Sequence, residues 1–115
     1  MSEADLVAKL LPTLNHMKFR PEMWFREGNY LDGIYAFMLG YAIAAEDHID
    51  KNTFELGPVF SRWLVDDKEL IGQANQVWSD ILRENYAGDI ACFESFFSLL
   101  SEFKDWPEIT GDLTG

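Results

Sequence analysis

One stretch decides the fold: residues 30–45, which read YLDGIYAFMLGYAIAA. Asp32 is the only charged side chain in this stretch, so a helix formed here has no polar face. A helix that is apolar all round is typical of a buried position in a protein. The sequence therefore predicts a buried central helix at about residues 29–47, with the other helices packed around it.

Small side chains fall together on one strip of the predicted central helix, at Gly33, Ala36, Gly40 and Ala44. A glycine inside a helix costs about 1 kcal/mol relative to alanine. We expect a packing reason for this cost, namely the close approach of a neighbouring helix to the bare backbone. On this interpretation, Gly40→Leu is expected to destabilise the fold by at least about 1–3 kcal/mol through overpacking.

Helical spacing of apolar residues recurs on both sides of the central helix. It predicts a first helix that either ends near Leu10 or kinks at Pro12, and a short helix after Pro58. It also predicts a fourth helix over residues 68–85 and a last helix that Asp89 caps. The expected inward faces include Ile71 and Val77 in the fourth helix and Ile90 in the last.

Alternation of apolar and polar residues with the period of a β-strand is absent from the sequence. The predicted fold class is therefore all-α. We expect a compact single-domain bundle of about five helices over residues 1–115, with a flexible tail at residues 108–115.

The chain is strongly acidic, with twenty acids against nine bases and a formal net charge of −11. Such a surface repels phosphate backbones, so this charge disfavours direct nucleic-acid binding. It attracts a basic partner and accelerates their encounter. Negative charge also keeps a protein soluble, and composition alone does not separate these two roles.

Residue types that carry chemistry are few. Cys92 is the single cysteine, which excludes an internal disulfide and a cysteine-based zinc cluster, and it falls among apolar residues of the last helix. His48 lies among Glu46, Asp47 and Asp50, but no second segment supplies the further ligands that a transition-metal site needs. The sequence therefore predicts no catalytic residue, no metal site and no cofactor.

The expected location is cytoplasmic, without membrane association. The first residues are acidic and lack the basic region that opens a signal peptide. The central helix is shorter than the roughly 20 residues that a membrane span needs. A lone cysteine also fits a reducing compartment.

A pattern of aromatic and small residues extends from Arg20 to Phe103. It begins with RPEMW at residues 20–24, continues as Leu31-x-Gly33-Ile34-x-Ala36-Phe37-x-x-Gly40-Tyr41, and ends with Phe60-x-x-Trp63-Leu64, Trp78 and Phe93-x-x-Phe96-Phe97-x-Leu99-Leu100-x-Glu102-Phe103. This pattern resembles small all-helical bacterial immunity proteins of polymorphic or contact-dependent toxin systems, which carry an R-P-x-M-aromatic segment before a Gly-containing helix. The resemblance implies an inhibitor that binds and occludes one toxin domain and has no catalysis of its own.

The predicted function is therefore that of a non-enzymatic acidic binding protein, with a basic toxin domain as its protein partner. Two alternatives stay open. One is an enzyme or small-ligand-binding domain that uses a slot beside Gly33 and Gly40. The other is a structural homodimer in which these glycines and exposed aromatic residues pack across a two-fold axis.

The partner is expected to dock on acids at the end of the central helix and in the turn after the short helix. Carboxylates at a helix C-terminus oppose the helix dipole, so local stability does not explain them. The candidate residues are Glu46, Asp47, Asp50, Asp66, Asp67 and Glu69, with Asp80 and Glu84 on the fourth helix as a second choice.

Overall fold

The computed structural model describes residues 3–46 and 57–105, with the backbone alone at residues 42–46. Within these ranges the chain forms five α-helices and one short 3-10 turn, joined by irregular segments. The helices are α1 (Glu3–Phe19), α2 (Tyr30–Glu46), α3 (Pro58–Asp66), α4 (Trp78–Asn85) and α5 (Asp89–Phe103), and the 3-10 turn spans Pro21–Met23. The described ranges contain no β-strand, and the all-α, single-domain prediction is confirmed.

The last helix, α5, lies at the centre of the packing. It contacts α1, α2 and α4, and its Phe103 ring also packs on Phe60 of α3 with centroids 5.0 Å apart. The α3 helix packs in addition against α1 and α4. Seven residues of α5 are buried and form a wide apolar stripe: Cys92, Phe93, Phe96, Phe97, Leu99, Leu100 and Phe103. A stripe this wide covers more than one neighbouring helix at once, which is why α5 rather than α2 occupies the middle. Ile90 is the exception to the predicted inward face, because it is 61% exposed.

Over residues 30–41, where its side chains are described, α2 is only half buried, so the prediction of a helix buried all round is wrong. Leu31, Ile34 and Met38 face the core, at the spacing of a single helical stripe. Leu39 is 42% exposed, and Ala36 and Gly40 are also exposed. Apolar residues on the outer side of α2 made the pattern resemble that of an interior helix.

The two glycines of α2 have different surroundings. A β-carbon added to Gly33 would lie 2.8 Å from Cγ of Phe25, so a side chain from the preceding loop approaches the backbone there. A β-carbon added to Gly40 would meet nothing within 4 Å. The expected neighbouring helix against Gly40 is therefore absent among the described residues, and the expected destabilisation by Gly40→Leu loses its basis.

The α1 helix continues through Pro12 to Phe19 and does not end near Leu10. Pro12 is exposed, while Leu10, Leu11 and Leu14 are buried around it. Apolar packing on both sides of the proline holds the helix together despite the lost hydrogen bond.

The α4 helix is much shorter than predicted, because residues 67–77 are irregular. Glu69 and Gly72 have φ angles of +57° and +149°, which no α-helix accommodates. Asn85 holds this segment from the end of α4: its side-chain amide donates to the Ile71 carbonyl and accepts from the Ile71 N–H, both at 2.8 Å. Ile71 and Val77, predicted to face inward, are 71% and 43% exposed.

Asp89 does not cap its own helix as predicted. It is the first residue of α5, and its carboxylate accepts the N–H groups of Tyr30 and Leu31 at 2.7 and 3.0 Å. It therefore satisfies the free N–H groups at the start of α2 and ties that end to α5.

Candidate functional site

The acidic turn, defined here as Asp66, Asp67 and Glu69, lies where α3 ends. All three side chains are exposed, so this part of the predicted docking surface is accessible. Asp66 is the last residue of α3 and Asp67 its C-cap, and the last turn of this helix contains no base. Two carboxylates therefore stand at the negative end of the α3 dipole, where they are locally unfavourable.

The lysine within this turn points away from it. The Lys68 ammonium lies 2.6 Å from the Glu102 carboxylate at the end of α5. Lys68 is thus neutralised by a different helix and does not compensate the three carboxylates beside it in sequence. The acidic turn keeps its negative charge, and a partly exposed ion pair links it to α5.

The second-choice residues, Asp80 and Glu84, are both exposed on α4. Asp80 already has a cationic neighbour, since an Arg83 guanidinium nitrogen lies 3.5 Å from its carboxylate. Arg83 also binds Asp32 of α2, whose side chain is exposed. This pairing makes α4 a weaker attractor of a basic partner than the acidic turn.

Several predicted residues cannot be placed in this geometry. Asp47, His48 and Asp50 lie outside the described residues, as does the predicted tail at 108–115. Glu46 is the last residue of α2, and its side chain also lies outside the description.

Cys92 and the His, Asp and Glu side chains are the groups of the described ranges that could take part in thiol or metal chemistry. No cluster of three or more His, Cys, Asp or Glu residues suited to a metal ion occurs in residues 3–46 and 57–105. Cys92 is 2% exposed, which confirms its predicted position among apolar residues. Burial raises the pKa of its thiol above the ordinary 9.0, an effect that Arg83 opposes and Asp89 reinforces. Such a thiol is a poor nucleophile at neutral pH.

A cleft that sequence reasoning missed lies between α2, α3 and the irregular segment before α4. Its volume is about 440 Å³, and we refer to it as the Tyr35–Trp78 cleft. The lining residues are Tyr35, Gly57, Pro58, Ser61, Arg62, Ala74, Asn75, Gln76, Val77 and Trp78. The cleft exists because α4 begins only at Trp78, so residues 74–77 form a wall and not a helix. Gly72, unfavourable in a helix, was the available signal.

Both the floor and the wall of this cleft are held in place. The Trp78 ring stacks on Phe96 with centroids 4.6 Å apart and also contacts Tyr35 at 5.3 Å. In the wall, the Gln73 N–H donates to the Gln76 side chain at 3.1 Å, and the Gln76 N–H donates to the Gln73 carbonyl at 2.9 Å. A cleft with a packed floor and a hydrogen-bonded wall is preformed, as small-molecule sites usually are.

The free backbone N–H groups at the start of α3, beside this cleft, all donate to one carboxylate from α1. Glu3 is 2% exposed and accepts the N–H groups of Gly57, Val59 and Phe60 at 2.9, 3.0 and 2.9 Å. Pro58 has no N–H group, so these three are the free donors of the first turn. An anion in the cleft therefore cannot use this helix terminus.

A second accessible feature is an apolar cluster at Phe19, Met23 and Trp24, which are 84%, 67% and 56% exposed. Phe25, which follows in the same loop, does pack on the core, since its ring lies 6.0 Å from Phe93 and covers Gly33. The cluster is therefore a candidate contact surface.

Neither a protein-family model, nor a curated protein, nor a solved structure matches this chain. Within the described ranges, none of the helices has the length and apolar character required to cross a membrane.

Proposed function

We propose that this protein is a non-enzymatic acidic binding protein of the immunity type, which neutralises a basic toxin domain by binding it. The observation that carries the proposal is the acidic turn at the end of α3. Its three carboxylates are exposed, two of them (Asp66 and Asp67) oppose the helix dipole, and none is compensated by Lys68. Local stability gives no reason for this arrangement, whereas a basic partner does.

Charge complementarity of this kind acts mainly on the rate of association. A net charge of −11 raises the local concentration of a basic partner around the whole molecule, and the acidic turn would orient its approach. Since only binding is required, the proposal needs no catalytic group. The protein would meet its partner in the cytoplasm of the producing cell.

The first test uses gene order and growth. An immunity gene is expected directly downstream of the gene for a large secreted toxin, and the C-terminal domain of that toxin is the protein to use. Expression of this domain alone should stop growth, and co-expression with the present chain should restore it. An upstream product that is harmless, or whose toxicity persists on co-expression, would exclude the immunity role.

The second test measures association rates with the same toxin domain at several salt concentrations. Charge reversal at Asp67 and Glu69 together should slow association and flatten its salt dependence, with little change in thermal stability. The double reversal Glu27→Lys/Glu94→Lys is the matched control, because it changes the net charge by the same amount at two exposed acids outside the acidic turn. Equal effects of the two double reversals would show that overall charge, and not this surface, attracts the partner.

The second candidate function is a structural homodimer. The exposed apolar cluster at Phe19, Met23 and Trp24 favours it, because exposed aromatic side chains are common interface anchors. Light scattering coupled to size exclusion should then report twice the chain mass, reduced to one chain mass by Trp24→Glu. A monomer at all concentrations would remove this candidate without affecting the inhibitor proposal.

A further inference from the structure

The geometry points to a second site, in the Tyr35–Trp78 cleft, that binds a small organic anion with a flat apolar body and a carboxylate group. This site is independent of the inhibitor role and of the acidic turn. Its volume of about 440 Å³ falls within the range of small-molecule pockets, roughly 300–1,000 Å³.

The flat body is inferred from the aromatic floor. Trp78 is 2% exposed and is fixed between Tyr35, Phe60 and Phe96, with ring centroids 4.6–6.0 Å away. Tyr35 is only half buried and lines the same cleft. Because the Trp78 ring is covered, a planar ligand can pack on the exposed part of the Tyr35 ring, which buries apolar surface without having to reorganise the protein.

The carboxylate is inferred from Arg62. This residue is exposed on α3, lines the cleft and has no ion-pair partner within residues 3–46 and 57–105. In a chain with twenty acids and nine bases, such a cation on a preformed cleft is notable. A guanidinium group binds a carboxylate through two parallel hydrogen bonds, which gives both affinity and orientation.

The polar groups around Arg62 fit the same ligand. Asn75 and Gln76 also line the cleft, and their exposed and half-buried side-chain amides can donate hydrogen bonds to an oxygen atom. The Glu3 carboxylate lies at the start of α3, where it accepts the Gly57 N–H, and its negative charge would repel a ligand carboxylate there. The ligand anion must therefore lie on the Arg62 side of the cleft, away from Gly57.

The test compares two probes of the same shape, indole-3-carboxylate and the neutral indole-3-carboxamide, by NMR titration of the folded protein. The carboxylate should give saturable shifts at the amides of residues 74–78 and at the Trp78 indole N–H. The carboxamide should bind about tenfold or more weakly, because it lacks the charge-assisted contact with Arg62.

Two variants locate the site, and both change exposed residues, so folding should be retained. Arg62→Gln should weaken carboxylate binding about tenfold or more and leave carboxamide binding nearly unchanged. Ala74→Phe should weaken both probes by filling the cleft. Arg26→Gln is the matched control, since it removes an exposed arginine from the loop before α2 and should change neither affinity.

Three results would overturn the inference. The first is equal affinity for both probes, which would remove the role of charge. The second is an equal loss from Arg26→Gln and Arg62→Gln, or shifts confined to residues that do not line the cleft, which would remove the assigned site. The third is the lack of any saturable shift at about 10 mM carboxylate, where a millimolar ligand would be largely bound.

Discussion

Glu3 and Phe60 are 57 positions apart in sequence, yet the carboxylate of Glu3 accepts the backbone N–H of Phe60 at 2.9 Å in the buried interior. The same carboxylate accepts from Gly57 and Val59. One acid at the start of α1 thus supplies the N-terminal cap of α3, which has no capping side chain of its own. Asp89 does the same for α2 from the start of α5.

The Glu3 cap is expected to contribute strongly to stability. Glu3→Ala leaves three buried or half-buried N–H groups without their acceptor and removes a charge-assisted contact, so we expect a loss of about 2–4 kcal/mol in the free energy of unfolding. Urea denaturation measures it. Glu94→Ala, at an exposed acid of α5, is the control and should change stability by less than about 0.5 kcal/mol.

The two glycines of α2 are expected to respond in opposite directions to alanine. At Gly40 the added methyl group meets nothing and the helix propensity improves, so Gly40→Ala should stabilise by about 0.5–1 kcal/mol. At Gly33 the methyl group clashes with the Phe25 ring, so Gly33→Ala should destabilise by about 1–3 kcal/mol. Thermal melting of both variants decides this, and equal shifts would contradict the packing described here.

These glycines also show which features of the fold could be predicted from the sequence and which could not. Spacing placed both on one strip of α2, correctly, but only the tertiary fold determines that Phe25 covers one of them and that the other is exposed. The all-α class and the apolar stripe of α5 were predictable because helical periodicity is a local property. The end of α3 was also predictable as an acidic turn.

The Tyr35–Trp78 cleft was not predictable from periodicity. Residues 68–85 continue the apolar spacing of a helix, while the actual conformation depends on Asn85 binding the Ile71 backbone and on positive φ angles at Glu69 and Gly72. Long-range contacts with α5 likewise override the cost of Pro12 in α1. Partner identity leaves no such pattern, because a binding surface needs charge and exposure and no fixed spacing.

Glu69 offers a direct test of the turn after α3. Its φ of +57° places a residue with a β-carbon in the left-handed region, where glycine is favoured by about 1 kcal/mol. Glu69→Gly should therefore raise the free energy of unfolding by about 0.5–1 kcal/mol. Glu69→Ala removes the same charge but keeps the β-carbon, so it should recover little of this gain. Equal gains in both variants would assign the effect to charge.

Cys92 is expected to make stability fall at alkaline pH. Because burial raises the pKa of its thiol, the folded protein retains this proton above pH 9.0, the ordinary pKa, whereas the unfolded chain loses it. The contribution of Cys92 to stability is therefore fully present below about pH 9 and is lost as pH rises through the folded pKa. Denaturation of the native chain and of Cys92→Ala from pH 8 to 11 isolates this effect, since other groups titrate in both proteins. The native chain should lose more stability over this range, and parallel pH profiles would show that the thiol ionises equally well in the folded state.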